Sequence, residues 1–426
     1  GTRAMEVRFA LAALALLPLC VSFQAGVLPL RQPLPLAGEH VAPRVATTPL
    51  GTYMQNVPSL VAARLTFESV IEGVGGSKSF PAVTVTRPGA YGFAAKTNQD
   101  AFIVSSAPMM GAIMDGHGAN GHNVSAFLKE VLPRRLESVI PANAAIERNL
   151  TVAIKKVAVE AQADVCEAID CTLSGSTCVM AFLVAGEAEG GWNAVVANIG
   201  DSRAVLALAD PDRHPLGEAA TNGAGWAGGV TWEDASMDHK PGDPPERLRI
   251  QAAGGWVGLV DAAQQRMILL DESADDGYAP GNHQAKAPSL DGLETAATEE
   301  LTGPIHPMLN APCSQLRKAA RIYVPQTVVP GLSVARAFGD QVSELYTFPS
   351  PDVVVHPLTD LHRFLLIASD GVWEVMSSEE AVEVVGGASS PRQGAERVVD
   401  ECTARWTASR YGNYRDDITI LVISLL

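Results

Sequence analysis

The residues of this chain that could do chemistry are aspartates set where apolar runs end. Asp115 follows "MMGAIM" and leads into Gly116, His117 and Gly118, Asp201 closes "ANIG", and Asp370 closes "LLIAS" ahead of Gly371. Asp100 follows Asn98-Gln99, and Asp416-Asp417 precede "ITILVI". Singly, each is more often a solvated turn residue. Carboxylates placed repeatedly at strand ends can converge at one sheet edge, where they repel unless cations neutralise them. Oxygen donors with no Cys or His pairing select hard cations, Mg2+ or Mn2+. Two such ions about 4 Å apart can bridge a water, lower its pKa and polarise a phosphoryl oxygen. His117, two residues beyond Asp115, could protonate a leaving alkoxide.

The elements that must position these residues read as follows. From about Phe80 onward strand and helix signals alternate. The apolar run up to Met114 predicts a buried strand ended by glycines. "WNAVVANIGDSRAVLAL" predicts two strands joined by a tight turn at Gly200-Asp201. "RFLLIASDG" predicts a strand running into Asp370, and "DDITILVISLL" a closing strand. Ser377 with Glu380 is a capping-box pattern ahead of "AVEVV". Ser390 with Gln393, and Pro391 at the first helical position, opens a second helix. The segment 145–169 predicts a long helix. Hairpins beside long helices indicate antiparallel sheets covered by helices, not a doubly wound parallel sheet. Two segments interrupt the pattern and read as surface insertions, at about 209–230 and 260–303. The second carries nine Asp or Glu against Arg266 and Lys286.

The first residues read as targeting rather than fold. Arg8 precedes "FALAALALLPLCVSF", an apolar run of signal-peptide length and too short to span a bilayer. An acid-poor, Arg-bearing stretch follows, so residues 1–25 read as a signal-peptide-like segment and 26–75 as a transit-like, disordered linker ahead of a catalytic domain at 76–426. Such a two-part leader points to a plastid reached through the secretory route, with secretion or the secretory lumen as the alternative, and the cytosol if the leader does not function. No stable membrane span is expected in the mature protein. The formal net charge of −16 argues against a nucleic-acid binder. It leaves phosphorylated substrates open where metal ions supply local positive charge. The six cysteines include no C-x-x-C pair, and losing Cys20 with the leader would leave five, which disfavours zinc and a disulfide framework.

Eight stretches in sequence carry a resemblance: "NQDAFIV", "GAIMDGHG", "SGSTCV", "ANIGDSRAVL", "DHKPGDPPERLRIQAAGGWV", "PGLSVARAFGD", "LLIASDGVWEVMSSEEAVEVV" and "RDDITILVI". Spanning Asn98 to Ile423, they resemble the metal-dependent protein phosphatase 2C family. The resemblance implies an α+β fold, a central sandwich of two antiparallel β-sheets flanked by α-helices, with two Mg2+ or Mn2+ ions in a cleft at one edge. By the same resemblance Asp115 is the bridging metal ligand, the Gly116 carbonyl its neighbour, and Asp370, Asp416 and Asp100 further metal ligands. Asp201 matches a residue of a third, weaker metal site, and His117 the general acid. The implied reaction is dephosphorylation of phosphoserine and phosphothreonine in proteins, by a metal-bridged hydroxide attacking phosphorus in line, in a monomer.

Three positions depart from the family pattern. Gln99 stands where many members have Glu. Ala95 stands where an arginine usually grips the substrate phosphate, and Lys96 could serve there as a point charge without bidentate geometry. Asp417 stands where many members have Asn. Ala95 and Gln99 support the alternative of a catalytically weak, phosphoprotein-binding regulator of the same fold, and a small phosphate ester is a third substrate reading. "DHKP" at Asp238–Pro241 reads as a loop tied by charged side chains. Neither "GGWV" nor the Gly-rich 223–229 has the lysine and helix start of a P-loop.

Overall fold

Strands such as "CVMAFLVA" and "ITILVIS" carry apolar residues at successive positions, so both of their faces must be covered. The covering is what sets the architecture. The computed structural model describes residues 64–426 apart from 75–77, 93, 107–108, 140–145, 187–189, 211–225, 227–228, 262–265, 271–318 and 410–413. All of these lie in one compact unit, Tyr53–Leu426.

In chain order the principal strands are β1 (Leu65–Glu72), β2 (Ser79–Arg87), β3 (Asp100–Ser106), β4 (Met109–His117), β5 (Cys178–Ala185), β6 (Trp192–Ile199), β7 (Arg203–Ala209), β8 (Val230–Asp234), β9 (Asp352–Leu358), β10 (His362–Ala368) and β11 (Ile418–Ser424). The helices used below are α1 (Gly121–Val139), α2 (Ile146–Ala168), α3 (Pro244–Ala252), α4 (Glu344–Thr347), α5 (Asp370–Trp373), α6 (Ser378–Gly386) and α7 (Pro391–Ala408). One sheet runs β1-β2-β11-β10-β7-β8, and the other β4-β5-β6-β9 with β3 beside β4. Gly175–Ser176 and Phe338–Gly339 extend the second sheet past β4, and every pairing between these strands is antiparallel.

The sheets face each other across an apolar seam. Ile113, Val179, Ala181 and Val196 of one meet Leu206, Leu365, Ile367 and Leu421 of the other. Outside the second sheet, Met114, Met180 and Phe182 pack on Val124, Leu128 and Leu132 of α1 and on Ile154, Val157 and Ala161 of α2. Outside the first, Phe364, Leu366 and Val422 pack on Val382 and Val385 of α6 and on Val398, Cys402 and Trp406 of α7. The four-residue spacing along α1 puts its apolar side chains on one face. The result is the flanked antiparallel sandwich expected. Two helix starts follow the sequence signals: Ser377 and Glu380 form the capping box of α6, and Ser390 accepts from the Gln393 N–H to open α7 at Pro391.

Three expectations are corrected. The two strands of residues 192–208 exist but are not a hairpin: β6 pairs β5 and β9, whereas β7 pairs β10 and β8 in the opposite sheet. Their turn crosses between sheets because both strands are buried along most of their length and each needs its own partners. Gly200 makes the crossing with φ 105, where a Cβ would collide with Thr177. The domain start at 76 is also too late, since residues 65–72 form β1, paired in register from Leu65↔Thr86 to Glu72↔Ser79. Ile71 on this strand is buried at 1% exposure. Finally, part of the expected 260–303 insertion is sheet. Trp256–Asp261, Arg266–Leu269, Arg321–Tyr323 and Pro330–Leu332 form a small four-stranded sheet. The signal-peptide-like segment (1–25), residues 26–63 of the expected linker, most of the 209–230 insertion and residues 271–318 lie outside the described residues. No helix among the described residues is long and apolar enough to cross a membrane.

Candidate metal and catalytic site

The predicted aspartates come together where the two sheets share an edge. β3 and β4 pair so that Asp100 lies directly opposite Asp115, a placement in which like charges repel. From the other sheet, Asp370 follows the end of β10 and opens α5, and Asp416-Asp417 precede β11, the neighbour of β10. Ser369 ties the two sheets at this point. Its hydroxyl donates to Asp100 Oδ2 at 2.8 Å and accepts the Thr419 N–H at 3.1 Å. Two glycines allow the close packing: a Cβ on Gly116 would collide with the Gly121 carbonyl, and one on Gly371 with the Asp417 carbonyl.

Electrostatics record the convergence. Burial, then the charges of Asp370, Asp100, Asp416 and Asp201, holds the Asp115 carboxyl well above the carboxylate range. Burial with Asp416 and Asp201 does the same to Asp370, against the opposing pull of Lys240. Asp100 is pushed up to about 7 by burial and by Asp417 and Asp416. Its Oδ1 is buried with no hydrogen-bond partner among the described residues. Packed, mutually repelling carboxylates with an orphaned oxygen fit a divalent cation, which would supply the missing partner and charge. Among the described residues, however, no three His, Cys, Asp or Glu side chains are drawn together into a ready-made metal cage.

Lysines provide part of the neutralisation. Lys96 Nζ lies 2.6 Å from Asp416 Oδ1 and 3.2 Å from Asp417 Oδ2, beneath the Tyr414 ring. Burial works against its charge, yet Asp416 and Asp417 hold its pKa above the ordinary range. Asp417 accepts the Gly89 and Gln99 N–H groups, so it anchors the chain leading into β3. Gln99 turns its amide to the Gly118 carbonyl at 2.7 Å. Asp201, only 3% exposed, pairs with Lys240.

"DHKP" ties a loop by three contacts. Asp238 takes a bidentate pair from Arg203. His239 accepts the Gly200 N–H at Nδ1, so its Nε2 carries the proton and donates to Asp352 at 3.1 Å. Lys240 holds Asp201. The Gly200-Asp201 crossing between sheets is thereby fixed.

His117, the last residue of β4, has a partner that sequence reasoning missed. Its Nε2 lies 2.7 Å from Asp340 Oδ2, and Asp340 is buried at 1% exposure. Asp340 sits in the left-handed region (φ 47) after Gly339 (φ 83), and its N–H donates to the Ser174 carbonyl at 2.9 Å. A Cβ on Gly175 would collide with both Asp340 and His117. The sequence signals for Asp340 are a Gly-Asp after an apolar residue, the form shared with "IGD", and its place at the end of "PGLSVARAFGD". A carboxylate on one ring atom fixes the orientation of an imidazole, so Asp340 acts as a positioning residue for His117.

Comparison with known proteins bears on the family and the fold. The sequence profile described as protein phosphatase 2C matches residues 93–268 and 316–411. The chain is 29% identical over 370 residues to "Probable protein phosphatase 2C 48" of Oryza sativa subsp. japonica, covering 82% of this chain and 84% of that protein. It is 27% identical over 398 residues to "Probable protein phosphatase 2C 6" of Arabidopsis thaliana, covering 83% and 65%. In fold it is similar to a solved serine-threonine phosphatase 2C from Toxoplasma gondii, with a TM-score of 0.53 at 22% identity, covering 84% of this chain and 99% of that one. With the aspartate edge, the sandwich and a profile match over most of its length, the chain belongs to the protein phosphatase 2C family of serine/threonine phosphatases.

Proposed function

We propose that this protein dephosphorylates phosphoserine and phosphothreonine in proteins, with Mg2+ or Mn2+ held by Asp115, the Gly116 carbonyl, Asp370, Asp416 and Asp100. The observation that carries this reading is that Asp115 lies opposite Asp100 on one sheet and within the field of Asp370 and Asp416 from the other, while Asp100 Oδ1 has no hydrogen-bond partner among the described residues. Bound cations supply positive charge for the phosphoryl oxygens and lower the pKa of an attacking water. The chain's own contribution is positional. β3 and β4 fix two carboxylates by register, Ser369 locks the first sheet against them, and His117, oriented by Asp340, holds a proton for the departing serine or threonine oxygen. Asp201 with Lys240 is the candidate for a third, weaker site. Lys96 contacts substrate phosphate in this reading only by leaving Asp416. Monomeric action on phosphoproteins and plastid delivery through the two-part leader belong to the same proposal. A fluorescent fusion of the leader that stays out of plastids would refute the delivery.

The test is phosphate release from a phosphothreonine peptide by the full chain with Mn2+, Mg2+ or chelator. Metal-dependent release is expected, and Asp115→Asn should abolish it and weaken metal binding by calorimetry. Retained turnover in that variant would overturn the assignment. One observation favours the alternative of a catalytically weak regulator: Lys96 already occupies Asp416 Oδ1. A folded protein that binds phosphopeptide, takes up no metal and releases no phosphate would establish it.

A further inference from the structure

Two thiols meet beside the loop that carries Asp340. Cys166 lies in the last turn of α2, and Cys171 three residues past its end. Their Sγ atoms are 3.3 Å apart. A disulfide is about 2.05 Å long, so side-chain rotation has about 1.3 Å to close. Cys166 is half-buried and Cys171 is fully buried. The other described cysteines, Cys178 and Cys402, are each buried in a different apolar core.

Both thiols touch the groups that grip Gly339-Asp340-Gln341. The Cys171 carbonyl accepts the Gln341 N–H at 3.0 Å, and its Cβ lies against Gly339. On the other side Gln162, one turn before Cys166, holds both backbone groups of Gly339. Its Oε1 accepts the Gly339 N–H at 2.8 Å, and its Nε2 donates to the Gly339 carbonyl at 3.0 Å. The same Nε2 lies 3.5 Å from Cys166 Sγ. Pulling the two sulfurs together removes Cys166 from Gln162 and shifts Cys171 against the loop. The next residue along that loop is Asp340, which holds His117.

We propose that Cys166 and Cys171 form a reversible disulfide that unseats Asp340 from His117 and lowers turnover. The oxidant is a peroxide, which a half-buried thiol can meet. Cys166 as thiolate attacks one peroxide oxygen, the O–O bond breaks, and the departing hydroxide takes a proton to become water, leaving a sulfenic acid. Cys171 loses its proton and attacks that sulfur, expelling the hydroxyl as a second water and forming the S–S bond. Two electrons leave the cysteine pair and reduce one peroxide to two waters. A dithiol reverses the step by attack at the more exposed Cys166 sulfur, releasing Cys171 first. Burial pushes the Cys166 thiol up to about 12 and holds Cys171 above its usual range, so little thiolate is present at neutral pH and the first step is slow.

The loss of turnover rests on the phosphatase reading, whereas formation of the bond does not. The experiment treats the reduced full chain with hydrogen peroxide, alkylates the remaining thiols and reads the tryptic peptide 157–203 by mass. In parallel it follows the His117 ring resonance by NMR and turnover of a phosphothreonine peptide with metal. Cys178 should remain the one alkylated thiol of that peptide, whose mass should be that of the singly alkylated chain less two hydrogens, against three alkyl groups in the reduced control. The His117 resonance should move, and turnover should fall about tenfold or more, the scale expected of a misplaced catalytic group. Dithiothreitol should restore all three, and Cys166→Ala should keep its turnover in peroxide. Two free thiols after sustained peroxide would overturn the proposal, as would a formed bond with an unmoved His117 resonance. A reduced enzyme with no turnover would instead refute the phosphatase reading, with the mass and resonance still deciding the switch.

Discussion

Asp340→Asn isolates the contact that orients His117. The backbone tolerates the change, because Asn enters the left-handed region more readily than most residues and Asp340 sits there at φ 47. The amide oxygen can still face Nε2 across the 2.7 Å contact, but the negative charge is gone. A hydrogen bond to a charged group contributes about 1.5–3 kcal/mol. At about 1.4 kcal/mol per factor of ten, that is a loss of roughly 10- to 150-fold in a step that needs the histidine proton. Phosphothreonine peptide, whose alkoxide must be protonated as it leaves, should show this loss in kcat. Nitrophenyl phosphate, whose phenolate departs unaided, should lose about threefold or less. Metal affinity and Tm serve as controls. An equal loss on both substrates with the controls unchanged would refute the orienting role, and so would an unchanged rate on the peptide.

Other outcomes follow from the same geometry. Asp100→Asn removes a like-charge cross-strand pair, so in chelator the variant should be about 1 kcal/mol more stable than wild type, while its gain on adding Mn2+ should shrink; destabilisation in chelator would contradict the convergence of carboxylates. Glu380 is held at about 2, chiefly by the Arg405 side chain and then by the Ser377 N–H. A depressed carboxylate contributes stability above its unfolded value of 4.5, and that stability is lost as pH falls toward about 2. The wild-type advantage over Glu380→Gln should therefore be present at neutral pH and vanish in that acid window. With a side chain 46% exposed, the advantage stays below about 1 kcal/mol, and urea midpoints across pH would reveal a difference that persists in acid. Phe182, fully buried between the second sheet and α1 and α2, should cost about 3–5 kcal/mol as Phe182→Ala; a urea midpoint close to wild type would show that the helices do not cover that face.

Much of the framework was legible because local rules agree with the final packing. The Ser377-Glu380 box and the Ser390-Pro391 start are satisfied within one helical turn, so sequence spacing alone determines them. The aspartates could be gathered as candidates because each stands at one end of an apolar run, Asp115, Asp201 and Asp370 closing theirs and Asp100 and Asp416-Asp417 preceding theirs. Other features were hidden by distance along the chain. Asp340 reaches His117 across 223 positions, and Lys96 reaches Asp416 across 320. Neither partner has a local pattern that names the other. The Trp192–Leu208 stretch misled for a related reason: a tight turn between two apolar strands reads as a hairpin, and only the competition for partners shows that it crosses between sheets.

By itself the sequence determined the strands and helices that border the site, the helix starts and the set of carboxylates available for chemistry, since these depend on side-chain type and near neighbours. Tertiary structure alone decided which carboxylates share an edge, which lysines neutralise them and what orients His117. Those relations depend on strand register and on the seating of one sheet against the other. A single-residue slip would move Asp100 from opposite Asp115 to the other face of the sheet.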